Sequence, residues 1–246
     1  MPNNIHHWTE EALSGLPQKN GFRQRGMDMT RLETFTDAAF AFAVTLLVIS
    51  VDDVPRSYEE FMLALKQIPA FIACFMQLML FWWGHHVWSR RYGLEDGWSM
   101  VWSLTLVAAV LIYIYPLRVI FGAFFANATN DFLPVPFELY VSQIGTLFLI
   151  FGAGFTTLAG LLVILFLAAY RRRQSLGLNA LEVLDTRADA IGWGVVTATG
   201  IVSTILAAAL PDELSPLSGF VYWTLIVSMP LFGVWVRKRR RVSRIE

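Results

Sequence analysis

Residues 31–51 read RLETFTDAAFAFAVTLLVISV. From Phe35 onward the run is apolar enough to cross a membrane, yet it opens on Arg31, Glu33 and Asp37 and carries Thr45 near its middle. An ionisable group inside a span is expensive and is by default a sign of function or of a specific partner. What keeps Asp37 in the first turns of such a helix is the question that the rest of the chain has to answer.

The composition puts that stretch in a membrane. The chain has 246 residues, 56% of them hydrophobic and 15% charged, with a mean hydropathy of +0.53. A soluble domain carries about a quarter charged residues. The charges are also clustered, with long windows that hold none, as in a polytopic membrane protein. A net charge of zero gives no sign of nucleic acid as a partner. The single cysteine, Cys74, excludes a disulfide framework and a cysteine zinc site. Residues 1–30 are polar and lack an apolar core, so they are not a signal peptide.

With about 20 apolar residues needed per crossing, six spans are expected near 33–51, 65–88, 98–122, 138–170, 190–210 and 216–236. The second has an amphipathic lead-in, SYEEFMLALKQ, followed by Pro69, where a kink or break is expected. A cytoplasmic N-terminus puts sixteen Lys and Arg residues inside and only Arg56, Lys66 and Arg118 outside. That bias fixes both termini in the cytoplasm. Trp88, Trp98, Trp102 and Trp235 stand beside the cytoplasmic ends, where an aromatic belt belongs. The chain thus divides into a cytoplasmic N-terminal segment (1–30), a six-span domain (31–236) and a basic cytoplasmic tail (237–246). The tail, RKRRRVSRIE, reads as a topology anchor and a contact for anionic lipid, with no nucleic acid implied. The expected fold is all-α, integral to a cell membrane and multi-pass.

Few ionisable groups fall inside the spans. Asp37 lies about six residues past Arg31, and His85 and His86 lie shortly before Arg90 and Arg91 at the end of the second span. At ~1.5 Å of rise per residue the three sit at similar depth under the cytoplasmic surface. Asp37 and a histidine are therefore expected to meet, either as a structural lock that sets the rotation of the first span or as a proton relay. A metal centre is disfavoured, because adjacent histidines on a helix point about 100° apart. No metal, cofactor or enzymatic activity is expected. Phe42, Thr45 and Ile49 form one stripe of the first span by their spacing. Periodicity allows two readings of it, a dry helix contact or the lining of a hydrophobic pore.

Arg31, Phe35, Thr36 and Asp37, followed by AAFAFAVTLLVI, match a pattern R-x-x-x-F-S-D and its apolar continuation. FWWGHHVWSRR in the second span matches a tryptophan and a histidine pair before a basic residue. On these motifs residues 31–91 resemble the family of the lysosomal potassium channel, transmembrane protein 175, and its prokaryotic single-repeat, six-span relatives. The resemblance implies a potassium-permeable homotetramer whose first spans line the pore. It implies Phe42 as the constriction, with Thr45 and Ile49 as the next pore positions. It further implies that Arg31, Phe35, Thr36 and Asp37 tie the first span to Trp82 or Trp83 and to His85 or His86. Two departures stand out. Thr36 replaces a serine but keeps the hydroxyl. Phe42 replaces an aliphatic residue, and four phenyl rings are flatter and could pack across the axis. A proton-coupled transporter relaying through Asp37 and His85 is the alternative function.

Overall fold

The computed structural model describes residues 8–49, 56–133 and 140–242, with the side chains of Ile49, Val141 and Val242 outside that set. The acidic loop at residues 52–55 and the segment 134–139, both expected on the outer face, fall outside the described residues.

The long helices are α2 (Arg31–Ile49), α4 (Ile68–Tyr92), α5 (Gly97–Ala128), α6 (Val141–Arg171), α7 (Ala180–Ala209) and α9 (Thr224–Val242). Shorter pieces are α1 (Glu10–Ser14), a hairpin of β1 (Gln18–Lys19) and β2 (Phe22–Arg23), α3 (Tyr58–Lys66) and α8 (Leu217–Phe220), which runs through a 3₁₀ turn into α9. Five helical stretches among the described residues are long and apolar enough to cross a membrane: Tyr58–Tyr92, Gly97–Ala128, Ser142–Arg171, Ala180–Ala209 and Leu217–Arg241. The charge-bearing α2 is not among these five and has 19 residues, about 28 Å of helix.

Several boundaries differ from those expected from sequence: α5 runs on to Ala128, α9 starts only at Thr224, and two others have a plain local cause. The second span breaks at Gln67, not at Pro69. Proline is tolerated in a first turn, where its missing N–H has no helical partner to lose, so Pro69 opens α4 and does not kink it. The fifth helix begins at Ala180, ten residues before the expected start. Asn179 and Glu182 cap it reciprocally: Glu182 N donates to Asn179 Oδ1 at 2.9 Å, and Asn179 N donates to Glu182 Oε2 at 3.0 Å.

The core lies among α4, α5, α6 and α7 and is rich in rings. Phe81 meets Tyr113 and Phe155 edge-on and stacks on Trp193 at 6.0 Å. The antiparallel pair α6–α7 is held close by interlocked small residues. A Cβ at Gly152 would stand 2.4 Å from Thr204 Oγ1, and one at Gly200 would stand 2.4 Å from Thr156 Oγ1. Small residues at such seams let helix backbones approach, and in a bilayer dispersion contacts of that kind drive association.

The N-terminal segment folds under one end of this bundle. Phe22 is fully buried, edge-on to Tyr92 at 5.7 Å, with the Arg91 guanidinium 4.7 Å from its ring centre. Arg23 and Arg25 both donate to the Glu182 carboxylate, Arg23 Nη2 at 2.6 Å and Arg25 Nη2 at 3.0 Å. Gly93 closes α4 at φ +56°, and a Cβ there would meet Arg25 O at 2.9 Å. Glycine is the residue that fits both the left-handed cap and the contact.

Candidate functional site

α2 starts where Thr30 stops the preceding chain. Glu33 N donates to Thr30 Oγ1 at 3.1 Å, which satisfies one of the orphan donors of the first turn. From there the helix has two faces. Glu33, Thr36, Phe40, Ala43 and Leu47 are buried, at spacings of three and four, against α4 and α5. Phe35, Ala38, Phe42, Thr45 and Val48 follow the same spacing and are exposed within the chain, Phe42 at 55%. Phe42 and Thr45 thus share the uncovered face. Ile49 closes α2, and its side chain is outside the described set. The Thr45 hydroxyl donates to Ala41 O at 3.0 Å, one turn back, so its hydrogen is held by its own helix.

Asp37 stands at the boundary between the faces. Its Oδ1 accepts a hydrogen bond of 2.8 Å from Trp82 Nε1 on α4. The partner is therefore a tryptophan and not a histidine. Trp82 in turn stacks on His86, with ring centres 5.1 Å apart. Trp83, the other of the two rings expected beside Asp37, is 51% exposed and has Lys19 Nζ 5.7 Å above it. The two histidines part company, as adjacent positions on a helix must. His85 turns inward, 2.9 Å from Ser103 Oγ on α5 and beside Trp88, with donor and acceptor set by the tautomer. His86 turns toward α2, where its Nδ1 lies 3.8 Å from Glu33 Oε1.

Glu33 was not singled out from sequence, yet it is the most buried charged group of α2, at 2% exposure. Arg90 Nε comes within 3.1 Å of its Oε1, an ion-pair contact without hydrogen-bond alignment, and that oxygen, Thr36 Oγ1 and His86 Nδ1 are buried without a hydrogen-bond partner among the described residues. Arg90 also donates to Gly26 O at 3.1 Å, so the same side chain ties the N-terminal segment to the start of α2. The signal in sequence was Thr30-x-x-Glu33, the spacing of a capping box. Arg31 and Phe35 are exposed and lie on the uncovered side.

Three further ion pairs stand at this end among the described residues. Arg91 meets Asp189, Arg240 meets Asp185, and Arg172 meets Asp96. Asp96 caps α5 and lies outside the apolar spans. Hydrogen bonds from Arg172, aided by Ser99 and Trp98 N, outweigh partial burial and bring its carboxyl from 3.8 down to about 2. The same hydrogen bonds raise Arg172. Among the described residues no group of three or more His, Cys, Asp and Glu side chains could hold a metal ion.

The comparisons with known proteins bear on this arrangement. The profile of the family described as endosomal/lysosomal potassium channel TMEM175 matches residues 31–116, which hold α2, α4 and most of α5. A protein of Marivirga tractuosa named "Potassium channel" is 29% identical over 242 residues, 94% of this chain and 96% of its own length. The crystal structure of a variant of the potassium channel MtTMEM175, in complex with a Nanobody-MBP fusion protein, superposes with a TM-score of 0.78 at 24% identity, over 91% of this chain and all of that one.

Proposed function

We propose that this chain, which belongs to the TMEM175 family, is a potassium-permeable cation channel in the cell membrane. α2 lines its pore in a homotetramer. The observation that carries the reading is the uncovered stripe of α2. Phe35, Ala38, Phe42, Thr45 and Val48 are exposed although α4 and α5 pack against the other side of the same helix. A face of that composition holds no charge and only one hydroxyl, suited to meeting its own copies around an axis. Both termini face the cytoplasm, and α2 makes the sixth span beside the five apolar ones. Phe42 is the constriction. Four phenyl rings on the axis would exclude water, and an ion cannot shed its hydration shell where no polar group replaces it. Thr45 supplies the nearest hydroxyl, with Ile49 one turn beyond.

The motif residues hold that helix in place. Asp37 on Trp82, and Glu33 between His86 and Arg90, fix the rotation of α2 against α4. The basic tail from Arg237 to Arg241 lies against anionic headgroups at the inner surface. The transporter reading loses ground on geometry. A relay through Asp37 and His85 needs the two in contact, yet Asp37 accepts from Trp82 and His85 faces Ser103.

Flux from proteoliposomes tests the proposal. With a potassium gradient and valinomycin left out, a channel carries current that reverses sign with the gradient and needs no pH difference. Flux that appears only with an imposed pH gradient would replace the channel with a carrier.

A further inference from the structure

A cavity of about 320 Å³ lies between the far end of α2, the α3–α4 break and the second half of α5. Its walls are almost wholly apolar and include Leu47 and Val48 of α2, Ala70, Phe71 and Cys74 of α4, and one cation, Arg118 of α5. Pockets that take small ligands begin at about this size and join apolar walls to a few placed polar groups.

Arg118 is the sole charged residue of α5. It stands 21 residues past Gly97, where the helix begins. At ~1.5 Å per residue that is roughly 31 Å, the thickness of a bilayer's hydrocarbon core. The guanidinium is thus at the level of the outer headgroups, and its Nη2 donates to Gln67 Oε1 at 3.3 Å. Lys66 is adjacent in sequence, its ammonium 4.4 Å from the centre of the Phe132 ring. Arg118 is one of only three cations that the sequence places outside, and it is the one that lines the cavity, against the bias that empties outer segments of Lys and Arg. Cys74 lies seven residues beyond Gln67, about 10 Å deeper along α4. The cavity runs from phosphate depth into acyl-chain depth with positive charge at the shallow end.

We infer that this cavity binds an anionic phospholipid of the outer leaflet, with its phosphate at Arg118 and Gln67 and the upper part of one acyl chain along Leu47, Phe71 and Cys74. The inference rests on the membrane placement proposed above but not on ion conduction. Its position gives it a consequence for α2, since a bound chain would lie against Leu47 and Val48 on the far end of that helix.

The full-length protein, reconstituted in vesicles of phosphatidylcholine mixed with phosphatidylglycerol and extracted in mild detergent, would be examined by native mass spectrometry for retained lipid. The wild type should retain phosphatidylglycerol over phosphatidylcholine. Arg118→Gln should lower that preference roughly fivefold, the effect of about 1 kcal/mol per basic residue near a membrane surface. Ala64→Leu and Ala70→Leu, which both fill the cavity, should lose the retained lipid while keeping the oligomer. Retention unchanged in both filled variants would overturn the assignment. So would oleate, added to phosphatidylcholine vesicles, being retained where phosphatidylglycerol is not, because the occupant would then be a free fatty acid. Dissociation of both filled variants into monomers would also overturn it, since a second copy of the chain would then occupy the cavity. These outcomes are independent of any flux measurement, so a failed channel reading and a failed lipid site are told apart.

Discussion

The two faces of α2 are built on opposite rules. The covered face begins with charged and polar groups, Glu33 and Thr36, and continues as Phe40, Ala43 and Leu47. Beyond Arg31 at its start, the uncovered face, Phe35, Ala38, Phe42, Thr45 and Val48, carries no charge. A helix in an apolar solvent gains little by hiding apolar side chains, because lipid is as apolar as they are. On the proposed reading, its rotation is fixed by the polar set, which costs energy in any orientation but one. The covered face therefore sets where the uncovered face points, and the two should fail differently when altered.

The largest loss is expected at Glu33. Glu33→Ala leaves Arg90 and His86 facing an apolar gap and removes the link between α2 and the N-terminal segment. Breaking a buried pair costs about 3–5 kcal/mol; with Arg90 partly exposed, about 2–4 is expected here. The readout is the melting temperature of purified protein and its oligomer on size-exclusion chromatography. A Glu33→Ala protein as stable as the wild type would mean that the covered face does not anchor α2.

Asp37 comes next. Asp37→Ala removes the acceptor of Trp82 Nε1, and an unpaired buried donor costs about 1–3 kcal/mol. Asp37→Asn keeps an acceptor oxygen and should recover most of that loss. Trp82→Phe should resemble Asp37→Ala, and the double variant should cost no more than the worse single one, because both delete one bond. Additive costs would show that Asp37 has a partner other than Trp82.

These two residues also mark what was legible in the sequence. Hydrophobic length found every long helix but not every end: α7 starts at Ala180, well before 190, α9 starts at Thr224, after 216, and α5 runs on to Ala128, past 122, because apolar runs report where a helix crosses lipid and not where it begins or stops. The ten residues ALEVLDTRAD at the head of α7 are helical through caps and ion pairs, which hydropathy does not register. Glu33 and Glu182 both lie three residues after a capping residue, Thr30 and Asn179. The capping-box spacing was visible in each case, and each glutamate also meets cationic groups from distant parts of the chain, Glu182 those of Arg23 and Arg25, Glu33 that of Arg90. Depth matching found that Asp37 and the α4 residues stand at one level. It could not choose among Trp82, His85 and His86, since that choice depends on the rotation of α4, about 100° per residue. The exposed stripe of Phe42 and Thr45 followed from spacing; its use did not.

A smaller effect is expected away from both faces. The Asp96 carboxyl is held at about 2 against an ordinary 3.8, chiefly by Arg172. A depressed carboxylate adds stability above its unfolded value, and that stability is lost as pH falls through its folded value. Melting curves of the wild type and Asp96→Asn should therefore differ by a constant amount above about pH 5 and converge only near pH 1, below the folded value. The gap should be modest, because both partners are about a third exposed to solvent. A gap that persisted at the acid end would assign Asp96 a role in capping α5 beyond the ion pair.

The smallest effect on stability should accompany the largest effect on transport. Phe42 is 55% exposed within the chain, so Phe42→Ala removes little packing from the fold, and surface changes of that kind stay within about 0.5 kcal/mol. Its melting temperature should match the wild type. If four copies of Phe42 converge on an axis, however, the same change widens and wets an apolar constriction. Conductance should rise, and discrimination among monovalent cations should fall. Val44 is the control, about 200° around the helix and partly buried against the core. Val44→Ala should cost a little stability and leave permeation alone, the inverse of Phe42→Ala. Cysteine placed at 45 or 44, with Cys74 replaced, repeats the comparison chemically: small thiol reagents should alter current at 45 and not at 44. Equal reactivity at both, or unchanged current in Phe42→Ala, would make the uncovered face of α2 a packing surface between copies, with the ions passing elsewhere.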